Sequence, residues 1–456
     1  MAECAYKHTN GANVIDRKQL VKSVLLELNK TQCLTPDDVA WCATVLSVLG
    51  LILTLSGSGM GAVLFLLAWG LVALPWAGAC LRLVFRTPGV WLLPGYALLS
   101  VLWSQAPLVT LRAATQLALT VGVAALAAGL LRPRAFVSAL AVSLLVGALL
   151  SLAFGRYGVD GMTGAAVFLG IFASKNTMAL FMSLLAIFSA AVLLDRGQPP
   201  GLRLLGVLGF LVSIPLLLLA RSAGAVLTTL ASLAVLGLVA LVARLRPAER
   251  LLLALAGAAL LLPALVLLGA LYLNGTLAET LGAFVSGVLG KDATLTGRTL
   301  LWSLALEEVA RHPWLGTGYY AFWQQGNLLA ESIWRHFSIT SRGGFHFHNT
   351  LLEFAVELGW PGAAAMVLTT LLGAWRAIAV AMADRGMASA ALVATLACLA
   401  SRMLGEVDTP YPFAIGTFLF FAILSYGSDH ARAMAVRPAG SALAWPAWRP
   451  MPGPVA

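Results

Sequence analysis

The sequence predicts an all-α polytopic membrane protein with about twelve transmembrane helices and one large, partly helical loop on its outer side. Three observations lead there. Of the 456 residues, 60% are hydrophobic and only 11% charged, where ordinary chains carry about 25% charged residues. Apolar stretches of roughly 17–25 residues recur between short polar breaks. Arginines favour every second break, the bias that sets membrane topology. The formal charge of +10 therefore reports orientation. Nucleic acid is excluded as a partner, because the basic residues come in ones and twos without interleaved aromatics.

The elements follow in order. Residues 1–39 form a polar tail, in which 15–28 make either a short amphipathic surface helix or a loosely ordered stretch. The first apolar run starts near Ala40, after Asp16, Glu27, Asp37 and Asp38, so it reads as a retained span and not as a signal peptide. Nine spans occupy 40–273, near 40–56, 60–80, 89–104, 111–131, 135–154, 173–194, 202–220, 223–243 and 250–273. Only Arg221-Ser222 divides the seventh from the eighth. The long loop covers 274–349, spans 350–374, 387–404 and 411–427 close the bundle, and 428–456 is a Pro- and Trp-containing tail. Cys4, Cys33, Cys42, Cys80 and Cys398 share no short spacing, so neither a disulfide framework nor a zinc site is indicated.

Loop charges orient the bundle. With the N-terminus inside, the inner short loops hold Arg82, Arg86, Arg132, Arg134, Arg196, Arg203, Arg244, Arg246, Arg250, Arg376 and Arg385. The outer ones hold Arg156, Arg221 and Arg402, with Arg112 near an outer end. Both tails then lie in the cytoplasm and the long loop lies outside. That loop is balanced in charge and rich in Trp and Tyr, which argues for a folded cap. Arg298 to Arg311 reads as an amphipathic helix, with Thr296 as its N-cap and His312-Pro313 as its stop.

Ionisable groups at the edge of an apolar bundle are expensive, so each is a candidate for chemistry. Arg221 is either a snorkelling interfacial residue or an anion clamp, since a guanidinium holds phosphate oxygens bidentately. Lys175, in the polar cluster Ser174 to Thr177, suggests a broken helix mouth lining a hydrophilic cavity. Arg298 would open the loop helix, where free N–H groups favour an anion. His348 is the candidate general base, because an imidazole titrates near pH ~6.5 and can take a proton from a hydroxyl. His346 competes for that role. Glu353 and Glu357 follow at i, i+4 spacing, where they could orient a histidine or bind sugar hydroxyls; for Glu357, a solvated surface acid is the plainer reading. No P-loop, dinucleotide fold pattern or hydrolase triad is visible, and the acids and histidines lack a metal-ligand spacing. No cofactor and no metal are expected.

His348-Asn349, nine residues, then Gly359-Trp360-Pro361-Gly362 resembles the signature of bacterial O-antigen ligases and related polysaccharide polymerases. Gly297-Arg298-Thr299-x-x-Trp302, followed by Pro313-Trp314-Leu315-Gly316-x-Gly318-Tyr319, resembles the first half of the same domain. Trp103-Ser104, Pro107, Phe172 to Asn176 and Thr317 to Trp323 look most like the exopolysaccharide-polymerase branch. The resemblance implies a metal-independent inverting glycosyltransferase in the bacterial inner membrane, with the loop in the periplasm. It implies an undecaprenyl-diphosphate-linked oligosaccharide donor, whose diphosphate Arg221 and Arg298 hold, and a glycan acceptor whose hydroxyl His348 activates. A chain-length regulator and export machinery are expected partners. Two alternatives stand beside the polymerase: a ligase joining the glycan to lipid A-core or to protein, and a polytopic transporter or flippase of lipid-linked glycans. Matching halves, expected of a transporter, are not visible.

Overall fold

The computed structural model describes residues 36–54, 59–74, 77–159, 166–253, 297–339 and 344–435, with isolated positions 164, 255–257, 259, 263 and 274. The N-terminal tail up to residue 35, most of the ninth span, Thr296 with nearly all of the loop before it, and the tail beyond 435 lie outside the described residues. The regular structure among the described residues is helical apart from one hairpin.

Helices α1 (Pro36–Thr54), α2 (Met60–Ala73) and α3 (Ala77–Val84) open the bundle. The third apolar run is shorter than a span: a 3-10 turn (Pro88–Trp91), α4 (Leu92–Leu99) and a second 3-10 turn (Ser100–Leu102). Proline starts both α5 (Pro107–Leu130) and α6 (Pro133–Phe154), where its missing N–H costs nothing. The antiparallel hairpin of β1 (Arg156–Val159) and β2 (Ala166–Gly170) follows; the hydropathy pattern held no sign of it. Next come α7 (Lys175–Leu194), α8 (Pro200–Leu219) and α9 (Ala223–Val242). The loop contains α10 (Arg298–Arg311) and α11 (Leu328–His336). Finally, α12 (Thr350–Asp384) runs well beyond the expected 350–374, and α13 (Met387–Arg402) and α14 (Ile415–Ala435) complete the described chain.

Among the described residues, seven helices are long and apolar enough to cross a membrane: α1, α5, α6, α7, α8, α9 and α12. Four shorter apolar segments, Met60–Ala73, Pro88–Leu102, Met387–Arg402 and Ile415–Ser428, accompany them. The chain is a multi-pass membrane protein. Helix α7 is its axis: residues Met178–Val192 are buried all round, and α6, α8, α9 and α13 pack on it. Such uniform burial leaves no amphipathic face, as a central helix requires. Its Ser183 hydroxyl donates to the Ala179 carbonyl and accepts from Thr229 of α9 at 2.7 Å, so neither polar group is stranded. Leucines of the outer helices, among them Leu204, Leu211, Leu230 and Leu368, stay exposed. That is the surface a helix presents to lipid.

The break in α12 shapes everything near the histidines. Gly359 has φ +70 inside the helix, a conformation open chiefly to glycine. A Cβ there would lie 2.5 Å from the Trp314 carbonyl. Carbonyls around the break turn outward and bind the loop: Val356 and Glu357 accept from Thr317 and Gly318 N–H at 2.9 and 2.8 Å, and Leu358 accepts from the Tyr96 hydroxyl at 3.0 Å. Gly316 and Gly318, also at positive φ, press against the Glu357 backbone and Ser104. The Gly-x-Gly of the loop and Gly359 of the helix are thus two halves of one joint. Trp103 and Thr110 clamp the same loop through Nε1 to the Leu315 carbonyl (2.7 Å) and Oγ1 to the Tyr319 carbonyl (2.8 Å).

Candidate active site

At one end of the bundle, the loop before α12 meets the connection between α13 and α14. Asn349 caps α12, its side chain accepting from the Leu351 and Leu352 N–H groups at 3.0 and 3.1 Å, so the residue before it stands at the helix mouth. That residue is His348, in the left-handed region at φ 53. The turn directs its N–H onto His346 Nδ1 at 3.1 Å and sets the two rings edge to face with centroids 4.3 Å apart. Phe347, between them, is fixed at both amide groups. Its N–H donates to Glu353 Oε2 at 2.8 Å and its carbonyl accepts from Trp302 Nε1 at 3.0 Å.

The partner of His348 is Glu406, with Nδ1 3.3 Å from Oε2. The other carboxylate oxygen accepts from Arg298 Nη2 and Asn176 Nδ2, each at 2.7 Å. Thr350 ties the two segments together, its N–H to the Met403 carbonyl (2.9 Å) and its hydroxyl to the Glu406 carbonyl (2.8 Å). Burial alone would raise the Glu406 carboxyl. The hydrogen bond and charge of His348, with Arg402 and His346, bring it instead down to about 2. An ionised Glu406 accepts a hydrogen bond from Nδ1–H, which in the neutral imidazole leaves the lone pair on Nε2 of His348 available to a substrate; this tautomer is assigned from the network. Burial and the neighbouring His348 lower His346 to about 3, and its Nδ1 is already an acceptor. Of the two histidines, His348 has the geometry of a base.

Behind this pair lies a buried ion pair. Arg402 Nε donates to Asp408 Oδ2 at 2.6 Å and Nη2 to the Asn176 carbonyl at 3.3 Å. Burial raises the Asp408 carboxyl from its ordinary value, against the pull of Arg402.

The remaining sequence candidates fall into place around it. Arg298 is the first residue of α10, and its N-cap is Gly297 at φ 80. Its guanidinium is paired with Glu406 while keeping further N–H groups. Arg221 sits in the turn between α8 and α9 at φ 49, with an exposed side chain. The neighbouring Ser222 hydroxyl reaches Asn176 Oδ1 at 3.4 Å, so this turn adjoins the Glu406 cluster. Lys175, half-buried, starts α7 beside Asn176. Glu353 does not face His348. It is fully buried and accepts from Trp323 Nε1 (2.7 Å), Tyr411 hydroxyl (2.9 Å) and Phe347 N–H. Geometrically, the task of orienting a histidine falls to Glu406. Glu357 is no solvated acid either: it is 1% exposed, with one carboxyl oxygen lacking a hydrogen-bond partner among the described residues.

Sequence reasoning missed Glu406 and Asp408. A signal existed, because Arg402 to Asp408 packs one arginine and two acids into a short break of an apolar chain. The sequence shows no metal-ligand spacing among the histidines and acids, yet in the fold donor atoms of His346, His348 and Glu406 lie within 4.8 Å of one another. The surroundings fit a dication poorly. Arg298 and Asn176 already occupy Glu406, and Arg402 adds a second fixed positive charge.

A multi-span bundle whose broken helix carries a histidine at its mouth, joined to a glycine-hinged loop, defines a class. The chain belongs to the O-antigen ligase family, whose model matches residues 208–367, a range with Arg221, Arg298 and His348 but not Glu406. It is also similar to the exopolysaccharide production protein ExoQ of Rhizobium meliloti (strain 1021), 34% identical over 330 residues, which is 72% of this chain and 73% of that protein.

Proposed function

We propose that this protein is an inverting glycosyltransferase that polymerises undecaprenyl-diphosphate-linked repeat units at the periplasmic face of the inner membrane, in exopolysaccharide biosynthesis. The observation that carries the proposal is the contact of His348 Nδ1 with Glu406 Oε2, on a carboxylate that also binds Arg298. Nε2 of His348 accepts the proton of an acceptor hydroxyl, and Glu406 steadies the imidazolium that forms. The acceptor oxygen bonds to the anomeric carbon of the donor as the bond from that carbon to the diphosphate oxygen breaks. Attack opposite the leaving group inverts the configuration. Arg298 and Arg221 take up the charge of the departing diphosphate. His346 and Lys175 contribute to the surroundings of the base and the anion, and no step calls for a metal. Both tails face the cytoplasm, and chain-length control and export fall to partner proteins.

Family membership supports a polymerase or ligase, and similarity to a protein of exopolysaccharide production favours the polymerase. The family's description favours the second reading, transfer of a finished glycan to lipid A-core. Purified protein reconstituted with lipid-linked repeat units, with and without lipid A-core, separates the two on a gel. The proposal expects a ladder of products without core. A product formed only with core would establish the ligase, and absence of transfer in both would turn attention to lipid-linked glycan transport.

A further inference from the structure

Asn176 spends every polar group of its side chain, and its carbonyl, on a different part of the site. Nδ2 donates to Glu406 Oε1 at 2.7 Å, Oδ1 accepts from the Ser222 hydroxyl at 3.4 Å, and the main-chain carbonyl accepts from Arg402 Nη2 at 3.3 Å. These partners belong to the α13–α14 connection, the α8–α9 turn beside Arg221, and the end of α13. Asn176 itself stands in the first turn of α7, a helix buried all round from Met178 to Val192, and so offers a fixed point.

From this geometry we infer that Asn176 is a positioning residue, holding Glu406 in register against His348 while the donor is bound. The inference rests on His348 acting as the base. Glu406 Oε1 has two donors at equal distance, Arg298 and Asn176. They respond differently to an anionic substrate. A diphosphate competes with the carboxylate for the Arg298 guanidinium, because both are planar-fork partners of arginine. The neutral Asn176 amide is not drawn away by charge. When Arg298 turns toward phosphate, Asn176 keeps Oε1 in place, and Oε2 continues to face His348 Nδ1. The same side chain reaches Ser222, so the turn bearing Arg221 and the carboxylate behind the base share one anchor.

The test uses full-length protein in proteoliposomes, with the lipid-linked repeat unit extracted from cells that make the polysaccharide. Turnover and donor KM are measured for wild type, Asn176→Leu and Asn176→Gln, with His348→Ala as the control on the underlying reading. Asn176→Leu lowers kcat by ~10-fold or more with little change in donor KM, and Asn176→Gln, which retains the amide, recovers most of that loss. A smaller fall in kcat, a loss confined to KM, or equal impairment of the glutamine variant overturns the inference. Wild-type protein with no turnover, or His348→Ala with full turnover, would instead remove the glycosyltransferase reading on which it rests.

Discussion

His346 and His348 sit two residues apart in sequence and differ in every property that matters for proton transfer. His346 offers its Nδ1 lone pair to a backbone N–H and is lowered to about 3 by burial and by its neighbour. His348 has Nδ1 on an ionised carboxylate and its other nitrogen uncommitted to any described partner. Two predictions belong here. Below the ordinary histidine value, near ~6.5, the unfolded chain takes up a proton on His346, and the folded chain does not until about 3. That residue therefore weakens the folded state progressively as pH falls between those values. His346→Gln should flatten the decline of apparent Tm between about pH 6.5 and pH 5, by melting in detergent; an unchanged slope would contradict this. Glu406 has the same sign in a lower window: its pairing is fully present above the usual carboxylate range and is lost as pH falls through about 2. Glu406→Gln, nearly isosteric but uncharged, should lower turnover by ~10-fold or more while the protein stays folded. Turnover equal to wild type would show that the carboxylate does no work on His348. The pairing itself was not legible in sequence, since 58 residues separate the two partners.

At the scale of elements, the family signature acquires mechanical meaning. Asn349 caps α12, Gly359 breaks it, and the freed carbonyls hold the Gly316–Gly318 loop. The motif residues were legible. Why they recur together was not, because a positive φ and a close backbone approach leave no trace in hydropathy. Glu353 shows the same gap: its spacing put it on one face with Glu357, but only the fold reveals three donors converging on it from the long loop, the histidine turn and the α13–α14 connection. Burial, with the charges of Glu353 and Glu357, keeps the Tyr411 phenol far above its ordinary range, so it remains a donor. Removing the acceptor strands buried donors at about 1–3 kcal/mol each. Glu353→Leu should accordingly lower the apparent Tm far more than Glu353→Gln, as read by thermal unfolding of the purified protein. Equal melting of the two variants would mean that the knot contributes little to stability.

For the whole molecule, apolar run length and arginine placement made the multi-pass bundle and its loop helix plain. The α2–α4 region and the β1–β2 hairpin escaped because short turns and a two-stranded ribbon do not alter the hydropathy of their neighbourhood. The proposed orientation has a direct consequence. A cysteine introduced at Leu328, which is 83% exposed in the loop, should react with a membrane-impermeant maleimide in spheroplasts, whereas one at Arg196 should react only after permeabilisation. The reverse pattern would invert the topology and move the chemistry to the cytoplasm. The central claim, that His348 is the base of a glycosyl transfer, is tested most directly by the rate of chain extension in proteoliposomes supplied with lipid-linked repeat units, for His348→Ala against wild type at matched amounts of folded protein. The account predicts a fall on the order of 10²–10⁴-fold. Extension at the wild-type rate would contradict it.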